Sequence, residues 1–196
     1  MEHASDTRAR LQTTAVRLFT ERGFQGVTVD EIARAAGVSH MTFFRYFPTK
    51  ASVLLWDPYD PVISRAVAET DRALSPLERV VVGLHQSWGG LPEPSDDLTR
   101  DRLRLITGDE GLIAEAWSNN RRTEAAIVDA LTDTGVERLD ASIAAGAVMG
   151  AMMAALVDWG DDPTGGPLGD RVRYALDQLA SVDGGPEGRR GVVAHA

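Results

Sequence analysis

Residues 28–47 contain two short helical segments joined through a glycine, and this arrangement narrows the possible folds more than any other part of the sequence. Thr28 opens the first segment and Glu31 follows three residues later, which is the spacing of a capping box. Gly37 supplies a residue that adopts a left-handed backbone without steric cost. Ser39 can then cap the second segment. The spacing predicts a helix-turn-helix, whose second helix can present its N-terminal residues to base edges in the major groove.

The rest of the chain is also predicted to be helical, because its apolar residues recur at spacings of three and four. Two segments rich in Gly, Pro and Asp, GGLPEPSDD and GDDPTGGP, predict loops. No run shows the sustained alternation typical of strands, so the fold class is predicted to be all-α. The predicted helices cover residues 7–22, 28–36, 39–46, 49–56, 62–74, 77–88, 98–107, 110–132, 139–159 and 168–181.

Charge is distributed unevenly along the chain. Residues 1–52 hold seven basic and five acidic residues, a net +2, whereas the remainder holds 13 basic and 24 acidic residues, a net −11. The split indicates a small, mildly basic head over residues 1–52 and a strongly acidic body over residues 53–182. Residues 183–196 show no apolar period and are predicted to be a disordered tail.

Several function classes find no support in the residues. The chain has no cysteine and only four scattered histidines, and it lacks HExxH, GxGxxG and GxxxxGK[ST]. We therefore predict no metal, no cofactor and no enzymatic activity. The first ten residues do not resemble a signal peptide, which favours a cytoplasmic location. Residues 141–157 carry no charge, but Ala and Gly dominate them, and neither clusters of Lys and Arg nor aromatic belts flank them. A buried helix is therefore favoured over a membrane span.

Residues 7–56 closely resemble the N-terminal DNA-binding domain of the TetR family of transcriptional repressors. The pattern AxxLFxERGFxxxTVDEIAxAAGVSxxTFFRYFPTK carries this resemblance, and it stands here as Ala15 to Lys50. The resemblance implies an all-helical homodimer that binds a palindromic operator. It also implies a three-helix DNA-binding domain over residues 1–52 and a variable, helical ligand-binding and dimerisation domain over residues 53–182. The segments FFRYFPTK and LLWDPYDP look most like actinobacterial regulators with acyl-CoA-like ligand domains, including mycofactocin-locus regulators. They imply a small hydrophobic or acyl-CoA-like effector.

The resemblance also implies roles in DNA binding. Residues that would face base edges are His40, Met41 and Thr42, and residues that would hold phosphates are Thr28, Tyr46, Thr49 and Lys50; Ser39 and Arg45 complete the predicted set. His40, Arg45 and Lys50 each have an alternative, which is an ordinary solvated surface position. The sequence departs from the family pattern at Phe44, where TFFRYF replaces TFYRYF, so the hydroxyl that family members place on a phosphate is missing.

Dimerisation is predicted on the last two helical segments, residues 139–159 and 168–181, with the close contact on the first of them. Gly146, Gly150 and Ala154 fall four residues apart and would let a partner helix approach closely, while Ile143 adds bulk beside them. A two-fold dimer is also what a palindromic operator requires. A close crossing between two helices of the same chain would explain the small residues equally well.

Four residues are predicted to bind a ligand: Trp88, Leu103 and Trp117 on the middle helices, and Met152 on the segment of residues 139–159. Sites between helices are mostly apolar with few polar groups, but the same residues could be plain core. Five arginines of these helices either meet an anionic ligand group or pair with nearby Asp and Glu: Arg100, Arg102, Arg104, Arg121 and Arg122.

Three function hypotheses follow from the residues and the resemblance. The first is a ligand-responsive transcriptional regulator whose operator affinity falls when effector binds. The second is a helical small-molecule binding or carrier protein that keeps the fold without DNA function. The third is a helical enzyme with a diffuse site. Steep weakening of DNA binding by salt would distinguish the first from the second.

Overall fold

A computed structural model describes residues 2–56, 60–89, 96–162, 164 and 166–183. All regular secondary structure among these residues is helical, which confirms the predicted fold class. The helices are α1 Glu2–Arg22, α2 Val29–Ala35, α3 His40–Tyr46, α4 Ser52–Leu55, α5 Asp60–Ala68, α6 Pro76–Gly89, α7 Asp96–Thr107, α8 Glu110–Thr132, α9 Arg138–Asp161 and α10 Leu168–Asp183.

The predicted helix bounds differ from the structure at α1, which begins at Glu2 rather than at residue 7, and at α4 and α5. Helix α4 is one turn long, and α5 ends at Ala68 rather than at residue 74. The Thr70 hydroxyl donates to the carbonyl of Val67 at 2.6 Å, and the buried Arg79 donates to the same carbonyl at 3.4 Å. These side chains satisfy a carbonyl that a further helical turn would otherwise use. The predicted tail beyond residue 183 lies outside the described residues.

The N-terminal helices share one hydrophobic core, which we call the head core. Phe19, Phe43 and Phe47 are almost completely buried in it. Val53 and Leu54 also belong to it, although they fall beyond the predicted domain boundary at residue 52. Ile106 of α7 and Leu112 of α8 join the same cluster, so the head core continues into the C-terminal helices; the boundary itself stays a prediction. Members of the head core are Leu11, Ala15, Val16, Phe19, Val27, Ile32, Ala33, Ala36, Phe43, Phe47, Ala51, Val53, Leu54, Ile106 and Leu112.

Helices α5 to α10 enclose a second core around α9. Helix α9 contacts α6, α7, α8 and α10, and its buried residues run from Ala141 to Gly160. By length and composition alone α9 could cross a membrane. Packing on four neighbours is the behaviour of a core helix in a helical domain. The large residue at its C-terminal end, Trp159, is fully buried.

Candidate DNA interface, effector cavity and dimer face

The turn between α2 and α3 closes as a Schellman motif. The amide of Val38 donates to the carbonyl of Ala33 at 2.9 Å, and the amide of Gly37 donates to the carbonyl of Arg34 at 3.1 Å. Gly37 has φ +69°, so the left-handed glycine predicted from the sequence is confirmed. These bonds fix the angle at which α3 leaves α2, and they determine which side of α3 is exposed.

A capping box fixes the N-terminal end of α2. Glu31 accepts hydrogen bonds from the backbone amide and the hydroxyl of Thr28, both at 2.8 Å, and from Arg22 at 2.9 Å. The bonds from Thr28, followed by that from Arg22, lower the pKa of Glu31 from 4.5 to about 2. The Thr28 hydroxyl therefore caps α2. Thr28 is also exposed at the N-terminus of this helix, and helix N-termini bind phosphates readily.

The N-terminal end of α3 is the exposed part of the helix-turn-helix. Ser39 and His40 are exposed, and Met41 is 77% exposed, which is unusual for a large apolar side chain. Thr42 is half-buried; its amide donates to the Ser39 hydroxyl at 3.1 Å, so Ser39 caps α3. The opposite face of α3 carries buried Phe43. The structure therefore brings the four residues together on a surface that faces away from the head core.

The remaining predicted phosphate-binding residues lie towards the C-terminal end of α3. Arg45 is exposed, and its guanidinium lies 5.2 Å from the ring centroid of half-buried Tyr46. The guanidinium of Arg8 lies 5.6 Å from the same ring. Thr49 is exposed, and its hydroxyl accepts from the amide of Ser52 at 3.0 Å. Two cations near one phenol make this part of the surface suited to anions.

Lys50 is placed differently from its expected position on a phosphate. Its ammonium group donates to the carbonyl of Phe24 at 2.9 Å and to the carbonyl of Val27 at 3.1 Å. It also lies 4.2 Å from the Phe24 ring centroid. These hydrogen bonds connect the α1–α2 loop to the residues just before α4, so Lys50 stabilises the packing of the N-terminal helices. Sequence spacing alone could not reveal these carbonyl acceptors, because they lie more than 20 residues away.

An apolar cavity of about 170 Å³ opens between helices α7, α8 and α9. Leu103, Trp117 and Met152 line it, and Trp117 is 47% exposed. The Trp88 side chain lies outside the described residues. Arg102 is the one charged residue among the described residues that line the cavity. These lining residues are Leu54, Leu55, Ile63, Thr99, Arg102, Leu103, Ile106, Thr107, Ile113, Ala116, Trp117, Asn119, Asn120, Thr123, Met149, Met152, Met153, Leu156, Val157 and Leu168.

Arg102 also touches the place where the N-terminal helices meet the C-terminal ones. Its guanidinium donates to the carbonyl of Trp56 at 2.9 Å. Gln12 of α1 donates to the same carbonyl at 2.9 Å and to the carbonyl of Val53 at 3.0 Å. Trp56 is the C-cap residue of α4, and the Arg8 guanidinium lies 5.5 Å from the ring centroid of Trp56. We call this arrangement of Gln12, Trp56 and Arg102 the α1–α4–α7 junction.

Two of the other arginines donate hydrogen bonds to backbone carbonyls. The guanidinium of Arg100 is buried 3.8 Å from the Trp159 ring centroid and donates to the carbonyls of Trp159, Asp162 and Gly166. Arg104 donates to the carbonyl of Gly160 at 3.1 Å. The described contacts of these two residues are with backbone carbonyls instead of Asp or Glu, because the carbonyls at the end of α9 lack intrahelical donors. Contact with a ligand anion stays a prediction. Arg121 and Arg122 are exposed on α8.

An exposed face of small and apolar residues runs along α9. Ile143 is 62% exposed, and Gly150 and Ala154 are also exposed. A Cβ added at Gly150 would meet nothing within 4 Å. Gly146 differs, since a Cβ there would lie 3.5 Å from a carboxylate oxygen of Glu124 on α8, so part of its close approach is within the chain. Exposed apolar residues on one helix face are compatible with a contact between protomers, and the dimer face stays a prediction.

No cluster of three or more potential metal ligands occurs among the described residues. An exposed helix-turn-helix joined to helices that enclose an apolar cavity is the architecture of a DNA-binding regulatory protein. Comparison with known proteins gives the family. The model for bacterial regulatory proteins of the tetR family matches residues 12–55, and the model for the MftR C-terminal domain matches residues 74–183. The chain belongs to the TetR family.

Individual relatives agree with this assignment. The chain is 40% identical over 72 residues to the HTH-type transcriptional regulator EthR of Mycolicibacterium smegmatis, a match that covers 37% of this chain and 33% of EthR. The match thus spans about a third of that relative's length. Among solved structures, the SmeT–triclosan complex has a TM-score of 0.60 at 20% identity and 97% and 100% coverage of the two chains. Thermus thermophilus FadR in complex with lauroyl-CoA has a TM-score of 0.51 at 23% identity and 96% and 100% coverage.

Proposed function

We propose that the protein is a ligand-responsive transcriptional regulator. It binds a palindromic operator as a homodimer and releases it when a small molecule with an apolar body and an anionic end occupies the cavity. The observation that carries this proposal is the position of Arg102, which lines the apolar cavity and holds the carbonyl of Trp56 at the α1–α4–α7 junction. One side chain therefore links the ligand site to the DNA-binding helices.

The DNA contacts in this proposal follow from exposure. His40, Met41 and Thr42 at the start of α3 face base edges, and Arg45 with Tyr46 binds phosphate beside them. A two-fold dimer through the exposed face of α9 presents two such helices to successive major grooves, as a palindromic operator requires. The anionic phosphates are attracted to residues 1–52 because this segment carries a net charge of +2, whereas the remaining chain is acidic.

The effector class follows from the cavity lining. Its walls are mainly Leu, Ile and Met side chains, and the flexible thioethers of Met149, Met152 and Met153 can adapt to an alkyl chain. A carboxylate or phosphate that binds the Arg102 guanidinium competes with the Trp56 carbonyl, since an ionised acceptor makes the stronger hydrogen bond. Effector binding and operator binding then oppose each other through one residue. The lauroyl-CoA complex of the structurally similar FadR supports an acyl-CoA-like effector.

The size of the cavity sets a limit on the chain length. Its volume of about 170 Å³ is smaller than the roughly 300–1,000 Å³ of drug-sized ligand pockets. Short and medium acyl chains should therefore enter with little repacking, and longer chains must displace the methionines. We expect the melting temperature to rise with acyl length to a maximum and then to fall, with operator release in the same concentration range.

The test is a thermal-shift series of acyl-CoAs of increasing length, run beside free CoA and a panel of flat aromatics such as triclosan. Free CoA should stabilise less, because it lacks the chain that fills the apolar part of the cavity. Arg102→Gln should weaken stabilisation by acyl-CoA and uncouple it from operator release. Arg104→Gln is the matched control, because Arg104 lies two residues away and does not line the cavity.

Each outcome has a distinct meaning. If aromatics shift the melting temperature and no acyl-CoA does, the acyl-CoA assignment is wrong and the regulator proposal stands. If ligands stabilise the protein but no DNA is bound, the protein is a helical small-molecule binding or carrier protein instead. Equal effects of the Arg102 and Arg104 substitutions would show that Arg102 does not couple the two sites.

A further inference from the structure

His40 is held from two sides, although it lies on the exposed surface of the helix-turn-helix. Its Nδ1 lies 2.5 Å from a carboxylate oxygen of Asp30, in the first turn of α2. Its ring centroid lies 4.8 Å from that of Phe44, one turn further along α3. Phe44 in turn makes an edge contact at 5.5 Å with the fully buried Phe43. The imidazole is thereby connected to the head core.

The contact with Asp30 determines how the imidazole can form hydrogen bonds. An ionised carboxylate only accepts hydrogen bonds, so Nδ1 must carry the proton in this contact. In a neutral imidazole the other nitrogen, Nε2, then has no proton and is an acceptor. Without Asp30 the ring is free to adopt either tautomer, and Nε2 can be a donor or an acceptor.

We infer that Asp30 and Phe44 are positioning residues that make His40 an acceptor in base recognition. This inference rests on the proposed function, in which the start of α3 faces base edges. In the major groove the exposed donors are the exocyclic amines of adenine N6 and cytosine N4, whereas guanine and thymine present acceptors at the corresponding edge. His40 therefore selects adenine or cytosine at one position of each half-site.

The same contact gives a role to the departure from the family pattern at Phe44. The missing hydroxyl removes a phosphate contact, but the phenyl ring supports the imidazole of His40. The contact with His40 also gives a role to Asp30, a carboxylate on a surface that we expect to approach phosphates. The side chains of Asp30 and His40 are 63% and 53% exposed, so both are accessible to DNA as well as to each other.

The first measurement is made on the full chain without DNA. The ¹⁵N resonances of the His40 ring, assigned by their loss in His40→Ala, are recorded in the buffer used for DNA binding, where an imidazolium, which carries a proton on Nε2 as well, would also be detected. The wild type should carry the proton on Nδ1. Asp30→Ala should give a mixture of tautomers. A proton on Nε2 in the wild type, or no change in Asp30→Ala, would overturn the inference.

The second measurement is the base preference of the half-site, determined by binding to operators with single base-pair substitutions. Replacing the preferred adenine or cytosine by guanine or thymine should weaken wild-type binding by about 5- to 100-fold at that position. Asp30→Ala should reduce this ratio to below about threefold at that position alone. It should also bind random DNA more tightly, because one negative charge is removed. Uniform weakening at all positions would indicate a merely structural role and overturn the inference.

Phe44→Ala should reduce the same base preference, and Phe44→Tyr is its matched control because it keeps the ring. A Phe44→Ala variant with unchanged preference would remove Phe44 from the inference. If the NMR result is as expected but His40→Ala keeps the wild-type base preference, His40 does not read DNA and the specificity claim fails. If the wild type binds no operator at all, the proposed function fails, whereas the NMR result still reports on Asp30.

Discussion

Substitution of Gly150 by leucine tests the proposed dimer face with little interference from the protomer itself. A Cβ at Gly150 meets nothing within 4 Å in its own chain, so the larger side chain projects into open space. Leucine is also the better helix former, which should stabilise α9 by roughly 0.5–1 kcal/mol. Any loss of dimer stability in Gly150→Leu therefore arises between the two protomers.

The expected magnitude follows from the symmetry of the dimer. Each inserted side chain overpacks a close helix contact at a cost of about 1–3 kcal/mol, and a two-fold interface receives two of them. The dimer should therefore lose about 2–6 kcal/mol. Because 1.4 kcal/mol is tenfold, the dissociation constant should rise by about 30- to 20,000-fold.

Sedimentation equilibrium measures this change, with Gly150→Ala as the graded control. The alanine variant should lose less dimer stability, since its side chain is one methyl group. Circular dichroism should show wild-type helix content in both variants. A folded Gly150→Leu protein with the wild-type dissociation constant would refute the placement of the interface on this face of α9.

Three further predictions concern the fold and the head. Gly83→Ala should lower the melting temperature, because its Cβ would lie 2.7–2.9 Å from side-chain and backbone atoms of Val67; an unchanged melting temperature in thermal unfolding would contradict this close packing of α5 on α6. The ionised Glu31 carboxylate stabilises the fold above about pH 4.5, and this contribution is lost as the pH falls towards about 2. The free energies of unfolding of the wild type and Glu31→Gln should therefore converge near pH 2. A difference between them that does not change with pH would contradict the depressed pKa of Glu31. Lys50→Met should destabilise the head by roughly 1–3 kcal/mol, as two carbonyls lose their donor; an unchanged free energy of unfolding, together with a smaller salt dependence of DNA binding, would favour the phosphate contact instead.

Local signals in the sequence were sufficient for the helix-turn-helix. Thr28, Glu31 and Gly37 act through backbone groups within five residues of themselves, so their spacing contains the information needed to predict the capping box and the left-handed turn. Helix α8 has the bounds predicted for it, because its apolar period is long and its N-cap Asp109 is adjacent. The exposed positions of Ser39 and His40 follow from the same local geometry.

Contacts between distant segments could not be predicted in this way. Arg100 and Arg104 were expected to meet charged groups, and the structure gives them the carbonyls at the end of α9, which are more than 50 residues away. Asp30 carried no signal of its own as the partner of His40, since only the angle between α2 and α3 brings their side chains together. The predicted DNA-binding, ligand-binding and dimer residues stay predictions.

Whether this protein acts as a DNA-binding regulator can be decided from the salt dependence of its binding to DNA sequences selected from a random pool. The selected site should be palindromic, and log K should fall linearly with log salt concentration, because phosphate contacts release counterions. His40→Ala should narrow the affinity ratio between selected and random DNA while leaving the salt dependence nearly unchanged. A protein that selects no sequence, and whose binding to DNA is absent or insensitive to salt, would not be a DNA-binding regulator.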